Sequence, residues 1–218
     1  MFIKDNELRN IKKLIKGTET PDAILVGLKK LFLEHFDCEI FAYICDKVAD
    51  GRLRLRFIVW DDATIEKFYK SSDNYYGCPD DKKINEIKSE FSKLCLINNL
   101  HKDYWESERY FAVPSEIRSD LLEEVQNRVQ PQIADYLDKI KAVKKVAFGF
   151  GSVHIFYELD EDIESNSNNG VSDKIKTDIF HLKKVVDEFD VCNNSGVVFS
   201  SIQTLNEKFG GSLQHYFN

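Results

Sequence analysis

Apolar residues recur at helical spacing along the first stretch of the chain. Leu8, Ile11, Leu14 and Ile15 share one face, and the pattern breaks at "GTETP". Asp22 is placed to open a second helix, with Leu25, Leu28, Leu31, Phe32 and Phe36 along its apolar side. The period then shortens to two. "CEIFAYICD" is rich in β-formers, and in "RLRLRFIVW" Leu53, Leu55, Phe57 and Val59 face one way while Arg52, Arg54 and Arg56 face the other. Two such runs around Asp50-Gly51 predict a β-hairpin, with the arginines on the solvated face of an edge element.

A polar insertion follows, "YKSSDNYYGCPDDKK", punctuated by Gly77 and Pro79. Ile84, Ile87, Phe91, Leu94 and Cys95 then predict a helix, and "ERYFAVP" a strand. Ser115 is expected to cap a helix carrying Ile117, Leu121, Leu122 and Val125. From about Gln130 the order returns. Ile133, Tyr136, Leu137 and Ile140 mark a helix, and "KKVAFGFGS" and "VHIFYELDED" are two strands meeting at Gly149–Ser152. "SNSNNG" is expected to be a loop. Ile175, Ile179, Leu182, Val186 and Phe189 mark another helix and "GVVFS" a strand. "SIQTLNEKFGG" reads as a short helix capped by Ser201 and stopped by Gly210-Gly211.

The predicted class is α+β, built from two similar helix-hairpin-helix-strand-helix halves with antiparallel sheets packed against helices. Residues 1–129 form the first half, with an extra N-terminal helix, and residues 130–218 the second. Two local echoes suggest duplication: "WDDATIE" against "LDEDIE", and "YFAVPSEI" against "GVVFSSIQ".

The chain has 218 residues, ample for a buried core. Thirty Lys and Arg stand against 37 Asp and Glu, a net charge of -7, which disfavours nucleic acid and favours a basic partner. No apolar run is long enough to span a bilayer, and the N-terminal residues lack the apolar region of an export signal. The five cysteines, 38, 45, 78, 95 and 192, are odd in number and without C-x-x-C spacing, as expected of reduced thiols in a cytoplasm.

The candidate chemistry is sparse. Gly149-x-Gly151 begins a dinucleotide pattern, but His154 replaces the third glycine and "IFY" continues a strand. A hairpin accounts for it better. Asp61-Asp62 and Asp160-Glu161-Asp162 each follow a strand; carboxylates there can hold Mg²⁺ or move protons, or can simply cap the next helix, the reading preferred here. Ser152 and His154 share a strand face, yet no G-x-S-x-G elbow or orienting acid accompanies them, so a half-buried histidine is expected. None of the five histidines has metal-ligand spacing. Tyr69, Tyr75, Tyr76, Tyr104 and Trp105 cluster near the polar insertion. An interface explains them, and for Trp105 and Trp60 core packing does equally well.

"RLRLRFIVWDD" and "VHIFYELDED", each followed by an amphipathic helix, and the terminal "VVFSSIQTLNEKFGGS" give the chain its one family likeness. The pattern resembles the small α/β immunity proteins of bacterial contact-dependent inhibition and polymorphic toxin systems. That resemblance implies a non-enzymatic cytoplasmic inhibitor without cofactor or metal. Its partner would be a cognate toxin domain, a basic nuclease whose active site it covers, and neither nucleic acid nor membrane. The candidate contacts are Asp61, Asp62, Asp73, Tyr75, Tyr76, Asp80 and Asp81 in the first half and Asp160, Glu161, Asp162 and Glu164 in the second. The alternatives are a metal-dependent enzyme using the acid clusters and a regulatory or scaffold module. The sequence leaves oligomeric state open.

Overall fold

The computed structural model describes residues 3–70, 78–149, 151–192 and 196–217. They form two compact units, Met1–Asp120 and Leu121–Asn218, and the class is α+β as expected.

In the first unit, helices α1 (Asp5–Ile15) and α2 (Ala23–Phe36) precede the hairpin β1 (Ala42–Lys47) and β2 (Leu53–Val59). Helices α3 (Asp62–Glu66) and α4 (Asp81–Ile97) and two short 3-10 turns lead to β3 (Tyr110–Glu116). Asp22 caps α2 as its position predicts, its carboxylate accepting from the Leu25 N–H at 2.7 Å. Strand β1 pairs antiparallel with β2, but β3 joins β2 in parallel. The sheet is therefore mixed, not purely antiparallel, because α3, α4 and the turns carry the chain back across it. One face, Leu55, Phe57 and Val59, buries against α2 and α4 with Phe32, Phe68, Ile87 and Phe91.

Strand β2 lies at the centre of the sheet, not at an edge. This overturns the expected solvated arginine face. Arg52 remains exposed and bonds Asp50, but Arg54 and Arg56 are buried, 7% and 1% exposed. Charge on a central strand survives burial only when paired. Arg54 donates to both oxygens of Asp46, at 2.8 and 2.6 Å, and Arg56 Nη2 donates to Glu7 of α1 at 3.1 Å.

Helix α5 (Arg118–Leu137) runs through the boundary between the units, and through residues 129 and 130, where two separate helices were expected. Pro131 lies inside it. An interior proline removes one helical hydrogen bond and costs about 3 kcal/mol, yet Val129, Ile133 and Leu137 bury together on one face, and that packing carries the helix through. Ser115 does not cap α5. It is a buried residue of β3, and Glu116 takes the role, accepting from the Ser119 N–H at 2.9 Å.

The second unit continues with β4 (Lys145–Gly149), β5 (Ser152–Tyr157), α6 (Asp160–Asn168), α7 (Val171–Val186), β6 (Val197–Ser201), α8 (Ile202–Phe209) and α9 (Leu213–Phe217). Here too an antiparallel hairpin takes a parallel third strand, in the order β4-β5-β6. "SNSN" is the end of α6, not loop. Its residues are poor helix formers; the helix holds through Ile163, which packs on the core, and Asp162, which accepts from the Leu159 N–H at 2.9 Å. Ser201 caps α8, accepting from the Thr204 N–H at 2.8 Å, and Gly210 ends it with φ +60°.

The two units share more than element order. Val59 pairs with Glu116 and Tyr157 with Ser201, the last residues of each parallel pair. Arg118 N–H then donates to Trp60 C=O, and Gln203 N–H to Glu158 C=O, both at 3.1 Å. Glu116 and Ser201 both cap the helix that follows. On α4 the inward residues include Ile84, Ile87, Phe91 and Cys95; on α7 they are Ser172, Ile175, Ile179 and Lys183, at identical spacing.

Candidate functional site

The strand-to-helix corners hold most of the candidate acids. Asp61 caps α3, its Oδ1 accepting from the Thr64 N–H at 2.9 Å and the Thr64 hydroxyl at 2.8 Å. Asp80 caps α4 through the Lys82 and Lys83 N–H groups, at 3.1 and 3.4 Å, and Asp81 accepts from Lys70 Nζ at 2.8 Å. In the second unit Asp160 accepts from the Ser201 and Thr204 hydroxyls, and these bonds hold its carboxyl below the usual range. Asp162 caps α6. The capping reading of the acid pairs therefore describes Asp61 and Asp162, and Asp80 does the same at α4. Asp62, Glu161 and Glu164 remain exposed, with no ion pair among the described residues. Asp73, Tyr75 and Tyr76 lie outside the described residues.

Among the described residues, no three His, Cys, Asp or Glu side chains come together as a set able to hold a metal ion. The Gly149–Ser152 turn joins two paired strands with Gly151 at φ +73°, so the turn is a hairpin and not a phosphate loop. His154 Nδ1 meets the Tyr216 hydroxyl at 3.1 Å, and its ring packs edge-on against Phe217. Burial lowers its affinity for a proton. It is the half-buried histidine its strand position suggests. Tyr104 is buried in the first core, Trp105 packs partly buried against it, and the Trp60 ring lies 5.7 Å from that of Phe41, tilted by 57°.

A second arrangement is not visible in the sequence. A cleft of about 310 Å³ in the first unit is lined by Asp46, Lys47, His101, Lys102, Asp103 and Tyr104, among others. Beside it the Tyr43 hydroxyl donates to Asp22 Oδ2 at 2.7 Å and faces His101 Nε2 at 3.2 Å. The phenol has one proton, committed to the carboxylate, so in this pair it is His101 Nε2 that donates to the phenol oxygen. Burial and the Asp22 bond both hold Tyr43 protonated. His101 takes a left-handed backbone, φ 46° and ψ 57°, uncommon for a residue with a side chain. Asp22, Tyr43 and His101 are too far apart in sequence for any spacing rule to group them.

The cleft has few reactive groups. Cys45 lines it, but burial keeps the thiol protonated and a poor nucleophile. Asp46 is committed to Arg54 and Arg56, and Arg54's hydrogen bonds hold its carboxyl low. What remains is polar binding capacity: two lysines and one oriented imidazole. None of the five cysteines forms a disulfide, and among the described residues no helix is long and apolar enough to cross a membrane.

No protein-family model matches the chain, and no curated protein or solved structure matches it significantly.

Proposed function

We propose that this protein is a non-enzymatic binding protein of the bacterial immunity type, which neutralises a basic toxin domain inside the cell by covering its active site. One observation carries the reading. In both units the corner leaving the central strand presents exposed, unpaired carboxylates on the first turns of a helix: Asp62 on α3, Glu161 and Glu164 on α6. Capping residues of the same clusters fix those helix starts, so the charges project from a rigid frame. A net charge of -7 adds long-range attraction for a basic partner.

The shared connectivity supports reading the units as copies of one ancestral unit, each carrying such a corner. A metal-dependent enzyme is the weaker reading, because Asp61 and Asp162 serve as caps and among the described residues no set of metal-ligating side chains comes together.

The test is titration calorimetry and stopped-flow mixing with the basic toxin domain encoded beside the gene, made as an inactive variant. The expected result is a tight 1:1 complex whose association slows as salt rises. Absence of sub-micromolar binding overturns the proposal.

A further inference from the structure

The polar cleft of the first unit holds charges that the protein itself leaves unanswered. Its volume of about 310 Å³ gives room for a small ligand. Two lysines stand on its walls: Lys47, the last residue of β1, and Lys102, the first of the 3-10 turn Lys102–Tyr104. Among the described residues neither ammonium makes an ion pair or hydrogen bond, although Lys102 lies over the Trp105 ring at 5.9 Å. The carboxylate of Asp103, beside Lys102 in the same turn, is exposed and likewise unpaired. Elsewhere in the unit Lys29, Lys30, Lys70, Lys83 and Lys93 each reach a carboxylate within 3.9 Å.

The remaining wall groups do not answer these charges. Asp46 gives both carboxylate oxygens to Arg54 and lies 3.3 Å from Arg56 Nε. Leu53 is apolar, and burial keeps Cys45 a neutral thiol. Two cations and one anion therefore stay free on the wall. The complementary ligand carries two anionic groups and one cationic group. Inorganic phosphate or a plain dicarboxylate would leave Asp103 facing negative charge with nothing to pair it.

The turn that carries Lys102 and Asp103 is clamped at both ends. His101 precedes it in a left-handed backbone, φ 46°, its Nε2 on the Tyr43 hydroxyl. The imidazole packs against Tyr43 at 5.7 Å and against Phe91 and Tyr104 at 6.4 Å. A side-chain residue keeps such a backbone only where its surroundings over-determine it. Tyr104 closes the turn, its hydroxyl donating to the carbonyls of Asp46 on β1 and Arg54 on β2, both at 3.0 Å. Little ordering entropy is then lost when a ligand meets the turn.

We propose that this cleft binds a free acidic amino acid of the glutamate or aspartate type, its two carboxylates on Lys47 and Lys102 and its ammonium on Asp103. Each charge of the ligand meets an opposite charge that has no partner in the protein. No toxin partner is involved.

The experiment titrates the full-length folded protein with L-glutamate at pH 7 and constant ionic strength, following backbone amide and histidine-ring NMR signals. Glutarate, which lacks the ammonium, glutamine, which lacks one carboxylate, and inorganic phosphate are titrated alongside. Glutamate is expected to give saturable shifts at Lys47, His101, Lys102 and Asp103, with a Kd of about 1 mM or below, and none at the His35 ring. Glutarate and glutamine should each bind about fivefold more weakly, the worth of one exposed charge pair. Lys47→Met and Lys102→Met, both at exposed positions, should each weaken glutamate about fivefold with melting unchanged. Asp103→Asn should weaken glutamate but not glutarate, so that the preference between them disappears. No saturable shift at these residues up to about 20 mM glutamate overturns the site. Phosphate, glutarate or glutamine binding as tightly as glutamate overturns the ligand class, and so does an unchanged preference for glutamate over glutarate in Asp103→Asn.

Discussion

Arg56 on the central strand of the first sheet donates Nη2 to Glu7 of the N-terminal helix at 3.1 Å, with the arginine side chain 2% exposed. This contact ties α1 to the sheet across 49 positions of sequence. Asp46 lies 3.3 Å from Arg56 Nε, so two carboxylates share the neutralisation of one buried guanidinium and its neighbour Arg54. Removing one carboxylate strands a buried charge. Glu7→Ala is expected to destabilise by about 3 kcal/mol, whereas Arg56→Met, which fills the space with apolar atoms, is expected to cost less. Urea unfolding at neutral pH ranks the two. An equal or reversed order would show that the pair does not hold the helix.

The same cluster sets an acid limit on stability. Arg54's hydrogen bonds, then the charges of Arg54 and Arg56, hold the Asp46 carboxyl below its ordinary value of 3.8. The unfolded state therefore takes up the proton first. The stabilisation from Asp46 is fully present above about pH 4 and is lost as pH falls through the lower folded value. Asp46→Asn is expected to be less stable at neutral pH and to show a shallower loss below about pH 4. Urea midpoints across that range measure both slopes; parallel curves would remove Asp46 as the source.

The arginine stripe marks where sequence reading stops. Alternation in "RLRLRFIVW" correctly places Leu55, Phe57 and Val59 on the core face, and period two says that Arg54 and Arg56 face away from it. It cannot say that the other face is also covered, because that cover comes from α1, far away in sequence. Local chemistry was legible wherever it decides the structure: Asp22, Ser201 and Gly210 do what their positions suggest. Pro131 and "SNSN" were misread because tertiary packing outweighs local propensity at both. The strand register also shifts the quoted echoes by one residue, matching Trp60 to Glu158 and Ile117 to Ile202. Of the candidate site, the acid corners were visible as sequence clusters. The Asp22, Tyr43 and His101 grouping was not, since only the folded sheet and the turn after α4 bring it together.

His154 gives the second unit a pH response of its own. Burial lowers its pKa below the ordinary 6.5, so the unfolded chain binds a proton before the folded one does. Stability is then unaffected above about pH 7, falls as pH drops through 6.5, and levels off below the folded value. NMR titration of the His154 ring should give a midpoint below 6.5, and His154→Asn should flatten the stability profile in that window. A midpoint at or above 6.5 would contradict the assignment. Tyr216→Phe removes the hydroxyl at 3.1 Å and is expected to cost about 1 kcal/mol.

Capping and exposed acids at the corners separate stability from recognition. Asp61 and Asp162 accept backbone N–H bonds, so replacing either with alanine should cost about 1 kcal/mol and lower the melting temperature. Asp62, Glu161 and Glu164 are exposed and make no such bond, so reversing them to lysine should leave melting nearly unchanged. Their charges act on encounter. The triple reversal is expected to slow association with a basic toxin domain at least tenfold at low salt, with the difference shrinking as salt screens the field. Stopped-flow mixing at two ionic strengths measures this directly. Equal association rates for the wild-type and reversed proteins would place the binding surface elsewhere, and the polar cleft beside His101 would be the next surface to mutate.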